Sequence, residues 1–448
     1  MAQLGLSTTI IFWDNVARRR SPLARTGPAV LDPGLFKKTS VIAVGVALEL
    51  LLLVGIGVAV FVGFNIGGSS TGVAFGPAVG SGVASKLGAA ILMSAFALLG
   101  GWTVGRNVIQ TMGGDIVPST QFTLAASVAV LFFVGLALLV SNLFGVPAST
   151  SMTAVGAIAG LGVASGRINW DVMGEIVSWW LVAPILAFWV CAVVGRYLYP
   201  YLAVRFAIER SEGSMFALHR DAPIPYPTLA PGTGFAEFFG SALVVAIGCY
   251  MAFSAGASNV ANAVAPLVGS GELTPDVGVL IAGGAIGLGA FTIARRTLDT
   301  VGNDLTDLPL LAALIVETVS ASIITFLSSI GIPASLAVSA TMCIVGLGWG
   351  RATRTTSISQ AAQAAVTGEG PPADAGSDEA TGVSMQALAV DEQEGEVAPI
   401  GEEEPAELTA SDLFDPGTTG RVVMLWILTP SISAAASFAL FSVFPLYG

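Results

Sequence analysis

Charged and chemically reactive side chains are scarce in this chain. Of 448 residues only 11% are Asp, Glu, Lys or Arg, with one histidine and three cysteines. No CxxC pair, HExxH run or Cys/His cluster occurs, which argues against a structural zinc or redox centre. Cys191, Cys249 and Cys343 lie in apolar runs and read as small core hydrophobes. Gly68-Ser69-Ser70-Thr71-Gly72 fits the pattern G-x-S-x-G, but a nucleophile elbow also needs a strand, a histidine and an acid. The one histidine, His219, falls in a polar central loop. A G-x-x-x-x-G-K-[ST] loop is missing too, which removes an ATP-driven motor. No acid–base or metal constellation remains, so the residues speak against an enzyme and offer neither catalytic nor metal-ligating residues. No cofactor and no nucleic-acid partner is expected.

Apolar sequence is abundant. Hydrophobic residues make up 54% of the chain, and runs near 41–64, 87–105, 122–144, 174–195, 235–255, 278–294, 308–330 and 422–444 approach the ~20 residues needed to cross a bilayer. These runs are too long and too weakly alternating for barrel strands. The fold class is therefore an all-α polytopic membrane protein with the lipid bilayer as partner. The first long run starts only after about forty residues, which argues against a cleaved signal peptide. The net charge of −12 is local: residues 355–420 carry 14 acidic and no basic side chains, leaving 16 acids against 18 bases elsewhere. Such an Ala/Gly/Glu/Pro-rich stretch cannot bury a core and reads as a disordered loop.

The organisation follows. Residues 1–40 form a polar segment with six basic groups, which favours a cytoplasmic amino terminus. Residues 41–200 form a first transmembrane repeat, 201–234 a connecting loop and 235–350 a second repeat. An acidic loop, 351–420, then precedes a final helix, 421–448. The two repeats are legible in the letters. FNIGGSSTGVAFGPAVGSG at 64–82 and FSAGASNVANAVAPLVGSG at 253–271 align at a spacing of 189, which continues through Arg106/Arg295 and Asp115/Asp304. Gly145-Val146-Pro147-Ala148-Ser149 and Gly331-Ile332-Pro333-Ala334-Ser335 align at 186. About five crossings per half turn the second half upside down relative to the first. Paired interrupted helices in matching positions of two such halves mark a transporter's central site.

Glycine and proline make a continuous helix through 65–82 costly, so broken or re-entrant helices are expected in both copies. A helix restarting there would point free N–H groups at a cavity, an anion site. On that reading Gly67, Gly68, Ser69, Ser70, Thr71, Ser258 and Asn259 bind substrate. Ser149, Thr150 and Ser335 join them from the proline segments. Asn65, Asn262 and the intramembrane Glu317 would serve a coupling ion, since an ionisable residue at membrane depth is a functional candidate. Glu49 is a weaker candidate of the same kind. Each Arg–Asp pair, 106–115 and 295–304, reads as a tether at a helix end.

The copy Gly256-Ala257-Ser258-Asn259-Val260-Ala261-Asn262-Ala263-Val264-Ala265-Pro266 resembles the inorganic phosphate transporter (PiT) family, whose signature is approximately G-A-N-D-V-A-N-A-x-G-P followed by V-G-S-G. Pro147-Ala148-Ser149-Thr150-Ser151-Met152 is similar to the family's P-V-S-T-T-H block, and Pro333-Ala334-Ser335-Leu336 more weakly so. The resemblance implies two inverted repeats, a midplane oxyanion site and symport driven by Na⁺ or H⁺, one repeat rocking against the other. Two departures stand out. The family's Asp is Asn259 in one half and Ser70 in the other, and its Asn is Ser258 and Ser69. The first half looks closer to the sulfate-permease branch. The expectation is a cation-coupled transporter in the plasma membrane moving inorganic phosphate by family, or sulfate by local chemistry. A homodimer is compatible with it. A passive anion channel and a non-transporting anion sensor are the rival readings.

Overall fold

The computed structural model describes residues 33–143, 149–205, 216–219, 226–229, 235–292, 310–353 and 416–448. The basic segment 1–32, Pro147, the Arg295/Asp304 pair and most of the acidic loop lie outside the described residues. The chain divides at Leu50 into two compact units, and the packing below concerns Leu51–Gly448.

In chain order the helices are α1 (Pro33–Gly80), α2 (Lys86–Thr103), α3 (Gly105–Gln110), α4 (Leu124–Leu143), α5 (Thr150–Ala164), α6 (Trp170–Val193) and α7 (Tyr199–Arg205). A hairpin, β1 (Phe216–His219) and β2 (Tyr226–Leu229), precedes α8 (Phe235–Gly269), α9 (Pro275–Thr292), α10 (Leu310–Ser329), α11 (Leu336–Ala352) and α12 (Pro416–Val443). A π-turn, Thr111–Asp115, continues α3. The hairpin pairs His219 with Tyr226, so the central connection contains a little sheet that its prolines gave no reason to expect. Among the described residues, seven helices are long and apolar enough to span a membrane, and three shorter apolar ones accompany them.

The duplication reappears in the element boundaries. α1 and α8 end at Gly80 and Gly269, while α2 and α9 run over Lys86–Thr103 and Pro275–Thr292, all at the spacing of 189. α4 and α10 coincide at 186, as do the starts of α5 and α11. The V-G-S-G tail explains the first match. Gly82 and Gly271 adopt φ of 67° and 78°, a left-handed conformation that glycine enters without steric cost at a helix end. The hydrogen bonds closing the two turns also match: Ser81 N–H to the Pro77 carbonyl and Ala84 to Ala78, Ser270 to Pro266 and Leu273 to Leu267.

Packing between the halves is reciprocal. Gly67 of α1 rests on the Ile286 carbonyl of α9, and Gly256 of α8 rests on the Ala97 carbonyl of α2; a Cβ would approach these oxygens to 1.9 and 2.0 Å. Gly289 lies on the Phe64 carbonyl as Gly100 lies on that of Phe253. The same exchange joins the later helices. Gly160 of α5 abuts the Ala434 carbonyl of α12, and Gly346 of α11 abuts the Phe188 carbonyl of α6. Four helix pairs, α1–α9, α2–α8, α5–α12 and α6–α11, thus join one half to the other, with glycine letting the backbones meet as small residues do in membrane helices.

One expectation fails here. The segments 65–80 and 254–269 are not broken: α1 and α8 run through them to Gly80 and Gly269. Hydrocarbon penalises freed backbone groups, so the ladder closes despite Pro77 and Pro266, each of which removes one bond. Gly67 and Gly256 mark close helix contact rather than a helix start. The Arg–Asp tether fails as well, because Arg106 pairs with Asp276 of the other half at 2.6 Å.

Candidate functional site

Two helices do begin inside the protein, at the proline-serine segments. Ser149 is the N-cap of α5, its hydroxyl accepting from the Met152 N–H at 3.3 Å. Ser335 caps α11 in the same way, accepting from Val338 at 3.4 Å. Both caps are buried, at 1% and 8% exposure. Proline cannot continue a helix backwards and serine satisfies an orphan N–H, so Pro-Ala-Ser writes a start signal. The free N–H groups and positive dipole ends expected at Gly67–Thr71 and Gly256–Asn259 thus belong instead to Thr150-Ser151 and Leu336-Ala337.

The polar segment of α8 reaches α5 through Asn262, and α8 also touches α11. Asn262, fully buried, donates through Nδ2 to Ser151 Oγ and to Asn259 Oδ1, both at 3.0 Å. Its own Oδ1 has no hydrogen-bond partner, and neither does the buried Ser258 hydroxyl one turn earlier. Most helical Ser and Thr hydroxyls here bond back to their own helix, as Thr71, Thr153 and Thr318 do. Ser258 does not take that option. Pro266 has no N–H, so the Asn262 carbonyl also lacks its usual helical donor. The Pro266 carbonyl receives the Ser127 hydroxyl of α4 at 2.7 Å. Unpartnered buried polar groups cost about 1–3 kcal/mol each, so a ligand or water supplying hydrogen bonds here recovers that cost.

Other expected residues are not drawn into this cluster. Gly67 and Gly68 pack against α9. Ser69 is exposed and bonds back to the Asn65 and Ile66 carbonyls, Asn65 donates to Phe61, and Thr71, though buried, bonds to Gly67. Ser70 is half-buried beside them, and Glu49 is exposed on α1. Glu317 is buried on α10 with Oε1 unpartnered. It precedes Ala321, whose carbonyl accepts the Ser254 hydroxyl, by one turn. Asn262 follows Ser254 by two turns. Asn107 on α3 reaches Ser329 at the far end of α10, while its neighbour Gly105 meets Ala257, so α8 and α10 run in the same direction. At 1.5 Å per residue Glu317 and Asn262 are separated by roughly 18 Å along the helices. They cannot share one coordination shell.

Sequence reasoning missed two contributors and left a third unassigned. Ser151 follows Pro147 with Ser149 and Thr150 as a hydroxyl able to serve a ligand, but is not among the residues given to substrate. Ser127 carries no local signal, since its partner is distant in sequence. Trp180 of α6 donates to the Pro333 carbonyl at 2.8 Å and pins the start of α11; a tryptophan in an apolar run ordinarily reads as lipid-facing. Among the described residues no group of three His, Cys, Asp or Glu side chains could hold a metal ion.

The chain has relatives. A sulfate permease of Bacillus subtilis, CysP, is 31% identical over 289 residues, covering 64% of this chain and 74% of that protein. A putative phosphate permease of Haemophilus influenzae is 24% identical over 360 residues, 65% of this chain and 86% of that one. The solved structure titled the sodium-dependent phosphate transporter superposes with a TM-score of 0.60 at 18% identity, over 89% of this chain and 99% of that chain, a likeness of fold. The profile of the Phosphate transporter family matches residues 66–437. With that match spanning most of its length, the chain belongs to the phosphate transporter family.

Proposed function

We propose that this chain is a secondary active, cation-coupled permease for a tetrahedral inorganic oxyanion, with phosphate the cargo its family suggests. The observation that carries the reading is the pair of buried, serine-capped helix starts, Ser149 on α5 and Ser335 on α11, the first of them tied through Ser151 to Asn262 of α8. Helix starts and neutral donors hold an oxyanion without placing a fixed charge in the bilayer. Ser258, Asn259 and Ser151 add side-chain donors, and Thr150 stands at the first position of α5. The Oδ1 and backbone carbonyl of Asn262 are hard oxygen acceptors suited to a coupling cation. Glu317, more than three turns away, would serve that cation at a separate station.

The proposed repeats have opposite orientation. Contact direction supports this: Gly63 meets Ala282 and Ala285 while Phe64 and Gly68 meet Gly289, so α1 and α9 run in the same direction. α9 returns from α8 through the tight turn at Gly271, with Gly278 against Val264 and Val268. α1 and its counterpart α8 are then antiparallel, as an inverted pair requires.

A second reading, sulfate in place of phosphate, has specific support. Sulfate has no proton to give at neutral pH and needs donors only, whereas phosphate carries protons that a carboxylate would accept. The α8 cluster holds no carboxylate, Asn259 and Ser70 standing at the family's Asp positions. The sulfate permease relative points the same way. Labelled phosphate and sulfate should therefore be competed in proteoliposomes under separate sodium and proton gradients. Accumulation of either ion that vanishes with its gradient supports the proposal. Uptake persisting after both gradients collapse would identify a channel, and binding in detergent without flux a sensor.

A further inference from the structure

Besides the buried cluster, the described residues line an open cavity of about 710 Å³. Its walls come from three separate turns: the π-turn after α3, the α5–α6 link and the α10–α11 link. Thr111 and Asp115 line it from the first, Arg167 from the second, Glu175 from the start of α6, and Ile330 and Ile332 from the third. Arg167 is exposed and forms no ion pair among the described residues, although two carboxylates line the same space. Its mount is rigid. The Arg167 N–H bonds the Gly162 carbonyl, Gly166 turns with φ of 66°, and the Asn169 N–H bonds the Ile116 carbonyl while its side chain caps α6.

The third wall leads inward. Gly331, with φ of 80°, sits so close to the Thr111 hydroxyl that a Cβ would lie 2.7 Å from it, and Asn107 holds the Ser329 carbonyl at 2.7 Å. From Ile332 the chain runs through Pro333 and Ala334 to Ser335, all outside helix and all buried. Three residues span about 10 Å at most. The cavity therefore ends within one short extended segment of a capped helix start.

We infer that this cavity is a capture vestibule in which the Arg167 guanidinium takes up the oxyanion before it passes the Ile330–Ile332 turn toward Ser335. The inference rests on the oxyanion-permease reading. A guanidinium presents a planar fork of donors matched to tetrahedral oxyanions. Asp115 and Glu175 oppose it electrostatically, which keeps capture weak enough for release.

Transport should be measured in right-side-out and inverted membrane vesicles for the wild-type chain, Arg167→Gln and Arg167→Lys. From the face bearing the vestibule, R167Q should raise KM about tenfold with kcat nearly unchanged, and with Asp115 and Glu175 left unopposed its kcat/KM should rise with ionic strength. R167K should restore part of the loss, and KM from the opposite face should stay at the wild-type value. A structural defect would move both faces together. An R167Q variant with wild-type KM and salt dependence from both faces overturns the inference while leaving the permease reading intact. Wild-type vesicles that move neither phosphate nor sulfate remove both. Should R167Q fail to fold, Glu175→Gln gives the opposite sign: KM falling about twofold from one face supports the vestibule, and no change there overturns it.

Discussion

The first-half segment 65–73 and the second-half segment 254–262 descend from one pattern yet occupy unlike surroundings. In the second, Ser254, Ser258 and Asn262 form one stripe of α8 buried against α10 and α5, and Val73, the counterpart of Asn262, is 43% exposed. Ser69, the counterpart of Ser258, is likewise exposed. Part of the difference is chemical, because valine at 73 and alanine at 337 cannot make the hydrogen bond that Asn262 makes to Ser151. The rest lies in the packing: the second-half stripe is covered by α5 and α10, whereas Ser69 and Val73 of the first half are uncovered.

The sharpest test of this asymmetry is Asn262→Leu, which removes two buried hydrogen bonds and should cut oxyanion uptake roughly 100-fold without loss of folded protein. Installing asparagine at the matched position, Val73→Asn, should leave uptake within about twofold, since that side chain is exposed. Uptake assays on purified, monodisperse variants decide between them. Next in size are the glycine contacts, where the halves should behave alike. Gly67→Ala and Gly256→Ala should each cost about 2–3 kcal/mol through forced helix separation, read as lowered thermal stability in detergent. Gly57→Ala, with open space around it, should be neutral; equal stability of all three would mean the helices are not tightly apposed. Ser258→Ala should lower uptake several-fold yet gain about 1 kcal/mol of stability by deleting an unpartnered hydroxyl, while Ser69→Ala changes neither. Equal loss of uptake in both serine variants would abolish the distinction drawn between the halves. The smallest effect belongs to the caps: Ser149→Ala and Ser335→Ala should each cost about 1 kcal/mol, and a marked inequality would break their equivalence.

The helical class, the duplication and most span positions could be read from apolar length and fixed spacing, because bilayer thickness sets helix length directly. The site was half legible. Ser149 and Ser335 stand out as hydroxyls following proline, while their place as caps of helix starts is seen only in the structure. The segments around Gly67 and Gly256 were misread because glycine has two uses, loosening a backbone and admitting a neighbour. Sequence alone does not say which applies until Ile286 and Ala97 are known to sit opposite. Arg106 went astray for a related reason, since regular spacing pointed to Asp115 while the partner, Asp276, lies in the other half. Glu317 reads as lying at membrane depth, but its axial distance from Asn262 follows from helix direction, which no single segment encodes.

The crossed glycine contacts bear on how such a molecule can move. α1 and α2 are locked to α8 and α9, and α5 and α6 to α11 and α12, each block drawing equally on both duplicates. Sliding one duplicate past the other would tear four seams of touching backbone, whereas tilting one mixed block on the other spares them all. Were the molecule to move as rigid blocks, these two mixed blocks would be the moving pieces rather than the two repeats, parted along the surface where the Asn262 segment meets the start of α5.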